Sequence, residues 1–539
     1  MERYIHNFLK NRWQLFTLLF ISVVLLYGRA YAAGFVTDFT GLHAKMQGKG
    51  LGDALNSYGF PSLMPVLNVT YGGLSMLVGL NGVAWFLFFS FFFAWTLILY
   101  YGFIVELLSD SGVKSEWVGV AAVLLVLTSP YQVEAMTWKV GLGHLMSVCF
   151  LVKATLNIIR YLKSGEGNTL LGMMSYLGLS LLCFEWGLVF PGVVVVLALV
   201  YLQLDKTSYK KIAGSVVASV VVITIYLLTT RVVVGEWLGH YDMGTQMNIE
   251  IGAMLSTALK YFVKHLGMVH FLSHDSKSVI YGLADKLGVQ IVAYGAVFLL
   301  SVVWLLRRKS TAEHRLMIAA LLLAFVSLVP VSGLHFSQLQ LSENDRYGSL
   351  FIYFFSFWLV LLVLRLPRWP RNILVSIFIV LQLFFQQQLV NKWQNSHEII
   401  ESLTSSFKSF EFKETDKVLI LNLPENMDGI FMFRDYGDKE PYSDYLKMFF
   451  DELPEIEVVA QYNLPGNALG FAVERRGDEI FLKAEEWGSW WWQQGLGLAG
   501  YETGSYEFMP EGKDMRVLLK KPETYTAILY GDGQRWIEL

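Results

Sequence analysis

Charged residues are scarce in this chain. Of its 539 residues only 16% are Asp, Glu, Lys or Arg, against roughly 25% in soluble domains, which excludes an ordinary soluble enzyme. Cysteine is scarcer still. Cys149 and Cys183 are the only two, and both fall inside apolar runs, so no disulfide framework is expected and neither reports a redox compartment. Nucleotide signatures are also missing. There is no Walker loop, no Gly-x-Gly-x-x-Gly after a strand and no Gly-x-Ser-x-Gly elbow, so ATP- or NAD-driven chemistry has no support. A net charge of -3 gives no hint of nucleic acid, and no repeat of solenoid length is visible.

What the chain has instead is apolar length. Hydrophobic residues make up 54% and aromatic residues 15%, the mean hydropathy is +0.45, and apolar runs of about 20 residues recur, as in a polytopic membrane protein. About eleven spans are expected, near 13–33, 82–108, 116–130, 138–160, 169–184, 187–204, 212–233, 289–306, 315–333, 348–364 and 372–389. Arg3, Lys10 and Arg12 precede the first run. Ala30-Tyr31-Ala32 resembles a small-residue cleavage site, but the run is read as an uncleaved anchor with its N-terminus in the cytoplasm. The cytoplasmic loops then hold Arg160 and Lys163; Lys206, Lys210 and Lys211; Arg307, Arg308, Lys309 and Arg315; and Arg365, Arg368 and Arg371. That is the positive-inside bias.

This orientation puts Asp38, Glu134, Glu185, the 235–286 interval and the 334–347 loop on the external side. An odd span count also exports everything after about residue 390. There the composition shifts to charged segments with short apolar runs such as Lys417–Leu421, punctuated by Pro424, Asp428-Gly429, Pro465-Gly466 and Gly531-Asp532-Gly533. The expected organisation is a mainly α transmembrane domain over residues 1–390 and a small extracytoplasmic α+β domain over 391–539. A helical segment around Trp393–Phe407 joins them.

Ionisable groups at span ends are costly to keep, which makes them functional candidates; the plainer reading is a side chain snorkelling to water. Asp38 is either a solvated loop acid or a general base at the membrane surface. Its ordinary acidity would keep it ionised for taking a hydroxyl proton. Close behind it come His43, Lys45 and Lys49, and a stretch, Leu51–Asn56, able to lie as a short surface helix. Glu134 lies in Ser129-Pro130-Tyr131-Gln132-Val133-Glu134-Ala135-Met136-Thr137-Trp138. Pro130 breaks the helix, and Glu134 and Trp138 share a face of the next at i, i+4. A Trp beside a carboxylate suits a sugar ring, and equally an interfacial anchor. Glu185, in a tight hairpin, is a first-turn acid favoured by the helix dipole or a substrate contact.

Arg346, in Leu341-Ser342-Glu343-Asn344-Asp345-Arg346-Tyr347, suits a phosphate because its guanidinium fork binds oxygens bidentately. The plainer reading is a salt bridge to Glu343 or Asp345. His335, Gln338, Glu343 and Tyr347 share that loop and are candidate contacts of the same cavity. Arg231 and Arg29 are second-rank phosphate candidates. His265, His270 and His274 with Asp275 invite a metal reading, but His265 points away from the other two on a helix and no His-Glu-x-x-His is present, so no metal site is expected. The run Trp487-Gly488-Ser489-Trp490-Trp491-Trp492 is read as core, with sugar stacking and membrane contact as alternatives.

Taken in order, these landmarks resemble the GT-C integral-membrane glycosyltransferases, particularly bacterial relatives of the tetratricopeptide-tailed protein O-mannosyltransferases. The resemblance rests on Asp38 after the first span, Tyr58-Gly59-Phe60-Pro61-Ser62-Leu63, and Val78-Gly79-Leu80-Asn81. It continues through the Pro-x-x-x-Glu-x-x-x-Trp pattern of Pro130, Glu134 and Trp138, Phe184-Glu185 with Pro191, and Asp345-Arg346-Tyr347. It covers most of residues 1–390. It implies a GT-C fold in a bacterial inner or plasma membrane and transfer of a sugar, with inversion, from a polyprenyl-phosphate carrier to a protein, lipid or polysaccharide acceptor. The transfer would be metal-independent or assisted by a divalent metal, with no other cofactor implied. Asp38 would take the acceptor proton, Arg346 (with Arg231 in second rank) would hold the carrier phosphate, and Glu134, Trp138 and Glu185 would shape the sugar pocket. Three features depart from the family pattern: Phe39 follows Asp38 where a second acid is usual, the Tyr58–Leu63 landmark lacks its Arg, and no Lys precedes Glu185. The tail is not tetratricopeptide-like. Two other functions compete: a multispan transporter or flippase of lipid-linked saccharides, and a non-catalytic envelope assembly protein.

Overall fold

The structure is a computed structural model and describes residues 12–55, 63–113, 116–204, 206–237, 250–306, 311–334, 336, 345–427, 429–433, 441–464, 471–484, 490–492, 500–512 and 514–539. All eleven apolar runs are helical. Among the described residues eight helices are long and apolar enough to cross a membrane, or nine if one bent pair counts as a single span. The chain is a membrane protein by this measure, with fewer such helices than the eleven expected. Length accounts for the difference. Gly167–Leu181 has 15 residues and Ala312–Leu328 has 17. At about 1.5 Å per residue neither reaches the roughly 30 Å of a hydrocarbon core.

The bent pair is Glu116–Leu127 with Pro130–Thr137, turned by 59°. Pro130 has no N–H to continue the first helix, and the chain makes a 3-10 turn, Pro130–Gln132, before Val133–Thr137. Other boundaries follow side-chain chemistry. Asn81 starts the Gly82–Asp110 helix by accepting the Ala84 N–H at 3.1 Å. Gly165, at φ 77°, ends Leu142–Ser164 in the left-handed conformation. The Lys139–Ser164 span is 89% buried and Leu287–Trp304 only 11%, so the former is central and the latter peripheral.

The chain forms two compact units. The first comprises Met1–Tyr31, Gly50–Thr137 and Gly141–Leu389, the second Ala32–Lys49, Trp138–Val140 and Val390–Leu539. The second therefore holds two segments from the expected transmembrane domain. They are joined to each other by the Lys139 N–H donating to the Gly34 carbonyl at 3.1 Å, and to the C-terminal part by the Trp138 ring lying 5.4 Å from that of Phe431. The last expected span and the Trp393–Phe407 segment are one uninterrupted helix, Arg368–Lys408. In the first unit its Gln386 and Gln387 amides donate to the Leu127 and Leu26 carbonyls, both at 2.9 Å.

The C-terminal part is built on two sheets. In the first, β1 (Lys417–Met427) lies between β3 (Glu455–Leu464) and β10 (Ala527–Gly531), parallel to both; β6 (Trp490–Trp492) pairs antiparallel with β3, β11 (Trp536–Glu538) antiparallel with β10, and β2 (Ile430–Phe431) pairs with β1. Val418–Met427 is buried throughout, as expected of a central strand covered on both faces. Asn422 locks β1 to β10 by donating to the Gly531 carbonyl at 2.9 Å and accepting the Gly531 N–H at 2.8 Å. The second sheet is antiparallel, in the order β4 (Phe471–Arg476), β5 (Glu479–Ala484), β9 (Asp514–Leu519), β8 (Tyr506–Glu511), β7 (Tyr501–Glu502).

Candidate functional site

In the first unit, two interrupted helix entries face one another. One is the turn Pro130–Gln132 running into Val133–Thr137; the other is the 3-10 turn Asp345–Gly348 that opens the Ser349–Val363 helix. Glu134, fully buried, spans them. Its Oε2 accepts the backbone N–H of Arg346 at 2.7 Å, and its Oε1 accepts from the Arg346 guanidinium. The guanidinium also donates to the Tyr347 hydroxyl at 3.3 Å and lies 4.5 Å from the centre of that ring. A carboxylate at the start of a helix answers both the unpaired N–H groups and the dipole.

A second ion pair adjoins the first. Asp345 pairs with Lys264, on the Ile251–Gly267 helix, and both are buried. The Lys264 ammonium lies 5.2, 5.5 and 5.4 Å from the Tyr131, Tyr261 and Phe336 rings, a cation–π cage. The Tyr131 hydroxyl donates to the Lys264 carbonyl at 2.7 Å, which ties the Glu134 turn to the same helix. His265 Nδ1 is 2.7 Å from the Tyr261 carbonyl. Burial, reinforced by the Lys264 charge, pushes the His265 imidazole down to about 3, so it is neutral near pH 7. Gly348 lets this ring approach: a Cβ there would stand 3.2 Å from His265 Cε1. Gly348→Ala is expected to cost about 1–3 kcal/mol by overpacking, measurable as a lowered unfolding temperature, whereas Gly282→Ala, at a helical position with open space, should not lower it.

Glu185, also buried, begins the 3-10 turn Glu185–Val189 and accepts from the Tyr226 hydroxyl at 3.4 Å. Beside it the Ser147 hydroxyl shares its proton between the Phe184 and Ser180 carbonyls, both at 3.0 Å, with Ser180 Oγ at 2.8 Å. The neighbouring Trp186 donates to His144 Nδ1 at 3.1 Å, and the His144 ring lies 5.7 Å from that of Tyr347. Glu134, Arg346 and Tyr347 are thus in direct contact, and Glu185 is linked to them through Trp186 and His144.

Asp38 and Trp138 belong to the second unit. The Val133–Thr137 helix stops one residue before Trp138, so Glu134 and Trp138 do not share the helical face expected from their spacing. The physical reason is that Trp138 is captured elsewhere. Its indole N–H reaches the Val36 carbonyl at 3.3 Å and Thr37 Oγ1 at 3.2 Å. Thr37 has φ 57° with ψ -123°, a positive-φ backbone that a β-branched residue rarely adopts. Directly after it, exposed Asp38 opens the helix Asp38–Met46, which packs against Pro441–Leu446. The structure therefore joins Asp38 to Trp138 through a strained threonine.

No protein-family model matches the chain, and no curated protein sequence matches it. The site has to be read from its own geometry.

The remaining candidates fall outside these clusters. Arg231 donates to the Gly235 carbonyl at the end of its own helix and pairs with Glu236 at 3.8 Å, which satisfies the helix C-terminus. His335, Glu343 and Gln338 lie outside the described residues, as do 58–62 of the Tyr58–Leu63 landmark and Trp487. His265 and His270 pack around the Tyr131 ring at 4.3 and 6.4 Å. Among the described residues no group of three or more His, Cys, Asp or Glu is gathered for a metal. Sequence reasoning missed Lys264, His144 and the pairing role of Asp345. One signal for Lys264 was available: Lys260, Tyr261, Lys264 and His265 recur at helical spacing among the buried residues of Ile251–Gly267, so cations lie on the inward face.

Gln132, on the same turn as Tyr131, is fully buried, and among the described residues neither its Oε1 nor its Nε2 has a hydrogen-bond partner. Leaving such an amide unsatisfied costs about 1–3 kcal/mol per group.

Proposed function

We propose that the chain is an inverting GT-C-type glycosyltransferase of a bacterial inner or plasma membrane, moving a sugar from a polyprenyl-phosphate carrier to an acceptor hydroxyl on the external face. Asp38 takes the acceptor proton as the acceptor oxygen bonds to the anomeric carbon. The bond from that carbon to the phosphate oxygen breaks, and Arg346 receives the charge left on polyprenyl phosphate. Glu134, Glu185 and Tyr347 border the sugar. The acceptor is a protein, lipid or polysaccharide.

One observation carries the reading: an exposed carboxylate follows a buried threonine held at φ 57° by an indole hydrogen bond. Holding such a residue costs about 1–3 kcal/mol, and strain of this kind concentrates at active sites. On this reading Trp138 is a positioning residue, not a sugar platform, since its indole is spent on Val36 and Thr37. Trp138→Phe keeps the ring and removes the N–H. It is expected to cost about 0.5–1.5 kcal/mol of stability and to lower kcat far more than it raises KM, read from steady-state rates beside thermal unfolding. The in-cell test compares wild type with Asp38→Asn for glycan on envelope proteins and lipids by intact mass. Loss of one glycan species with the protein still folded is expected; unchanged glycans count against Asp38 as the base.

A second reading is favoured by the 59° break and the two buried ion pairs beside it. Broken helices and ionisable groups paired with one another inside the protein are features of transporters, so movement of a lipid-linked saccharide without bond cleavage is the alternative.

A further inference from the structure

The two oxygens of Glu134 have separate tasks. Oε2 is fixed to a backbone N–H and Oε1 to the guanidinium of the same residue, Arg346. If the guanidinium swings away, the carboxylate stays anchored through the backbone. Of the four charged side chains in the double ion pair, Glu134 and Lys264 are 0% exposed and Asp345 1%, while Arg346 retains 11%. Arg346 is the most exposed of the four. Two residues before Glu134, the buried Gln132 amide offers a donor and an acceptor that no described residue uses.

We infer that the carrier phosphate and Glu134 compete for the Arg346 guanidinium, so that Glu134 is released to join Gln132 at the sugar hydroxyls only once a phosphate is seated. This rests on the donor-phosphate role given to Arg346 above. A phosphate makes bidentate, charge-assisted hydrogen bonds to a guanidinium as a carboxylate does. An anion arriving beside a buried carboxylate must displace it or be repelled. Displacement frees Oε1 as an acceptor for a sugar hydroxyl while Oε2 holds its place on the turn. Glu134 thereby makes sugar recognition conditional on the phosphate and discriminates against free sugars.

The test measures binding of polyprenyl phosphate, and separately of a polyprenyl-phosphate hexose, to the full chain in lipid nanodiscs. Glu134→Gln removes the competing charge. Glu134→Asp keeps the charge but withdraws it by one methylene, and serves where the Gln variant does not fold. If the competent Arg346 is about a tenth populated in the wild type, both variants should bind polyprenyl phosphate about tenfold more tightly. Gln132→Leu should leave that affinity unchanged, should not lower the unfolding temperature, and should weaken binding of the hexose-bearing carrier. Equal or weaker phosphate binding in the folded Glu134 variants overturns the competition. Equal losses for both ligands in Gln132→Leu overturn its part in sugar recognition. Absence of polyprenyl-phosphate binding in the wild type and all variants is a different result, and removes the donor-phosphate reading itself.

Discussion

Asp38→Asn is expected to lower sugar transfer by about 10²–10⁴-fold, the usual contribution of a positioned general base, with little change in stability. Asn has nearly the shape of Asp and remains an acceptable first-turn residue, but it cannot take a proton at neutral pH. The side chain is exposed on the first turn of Asp38–Met46, so the substitution leaves no buried group unpaired. Rates should be measured in lipid with saturating donor, beside a thermal unfolding curve. A rate within threefold of wild type would assign Asp38 to the helix dipole alone. Thr37→Gly makes a related comparison. Glycine tolerates φ 57° without strain but gives up the contact of the Thr37 hydroxyl with the Trp138 indole. A normal fold with reduced kcat is the expected result there, because Asp38 keeps its chemistry and loses its fixed approach.

The largest effect on stability is expected from Lys264→Met. This leaves Asp345, 1% exposed, without its cation, and breaking a buried ion pair from one side costs about 3–5 kcal/mol. The paired change, Lys264→Met with Asp345→Leu, removes both charges and should recover most of that loss, since apolar replacements of a buried pair are often neutral. The three aromatic rings around Lys264 would accommodate the thioether. Unfolding temperatures of the single and double variants decide the matter; a double variant no more stable than the single would mean that the pair is not the unit holding the Asp345–Gly348 turn. If that turn presents Arg346 to a phosphate, the double variant should also bind polyprenyl phosphate with near wild-type affinity.

Much of the helical framework was legible because hydropathy is a local property. Each apolar run became a helix, and Pro130 announced the break that aims Glu134. The number of spans was less legible, because run length in sequence includes flanking residues that cap or turn. The Glu134–Trp138 pairing misled for a different reason. Periodicity says which residues share a face only while the helix continues, and this one ends at Thr137, where Trp138 is held by Val36 and Thr37, about a hundred residues earlier in the chain. The same non-local packing puts Ala32–Lys49 in one unit with the C-terminal sheets. Those sheets were announced by their turn residues. Their parallel core was not, because β1 pairs with β10 across 109 residues of chain, as the Asn422–Gly531 bonds show. For Arg346 the plainer alternative to a phosphate ligand was a salt bridge to Glu343 or Asp345, its neighbours in sequence, and Glu343 lies outside the described residues. Instead Asp345 pairs with Lys264 and Arg346 with Glu134.

Transfer and transport differ in one bond, and that bond can be watched. The full chain, reconstituted in sealed vesicles with a panel of polyprenyl-phosphate hexoses and an acceptor mixture, is sampled for the lipid products by mass. The account predicts free polyprenyl phosphate appearing with turnover in the wild type and not in Asp38→Asn. An intact lipid-linked hexose that crosses between leaflets, with no polyprenyl phosphate released, would contradict it.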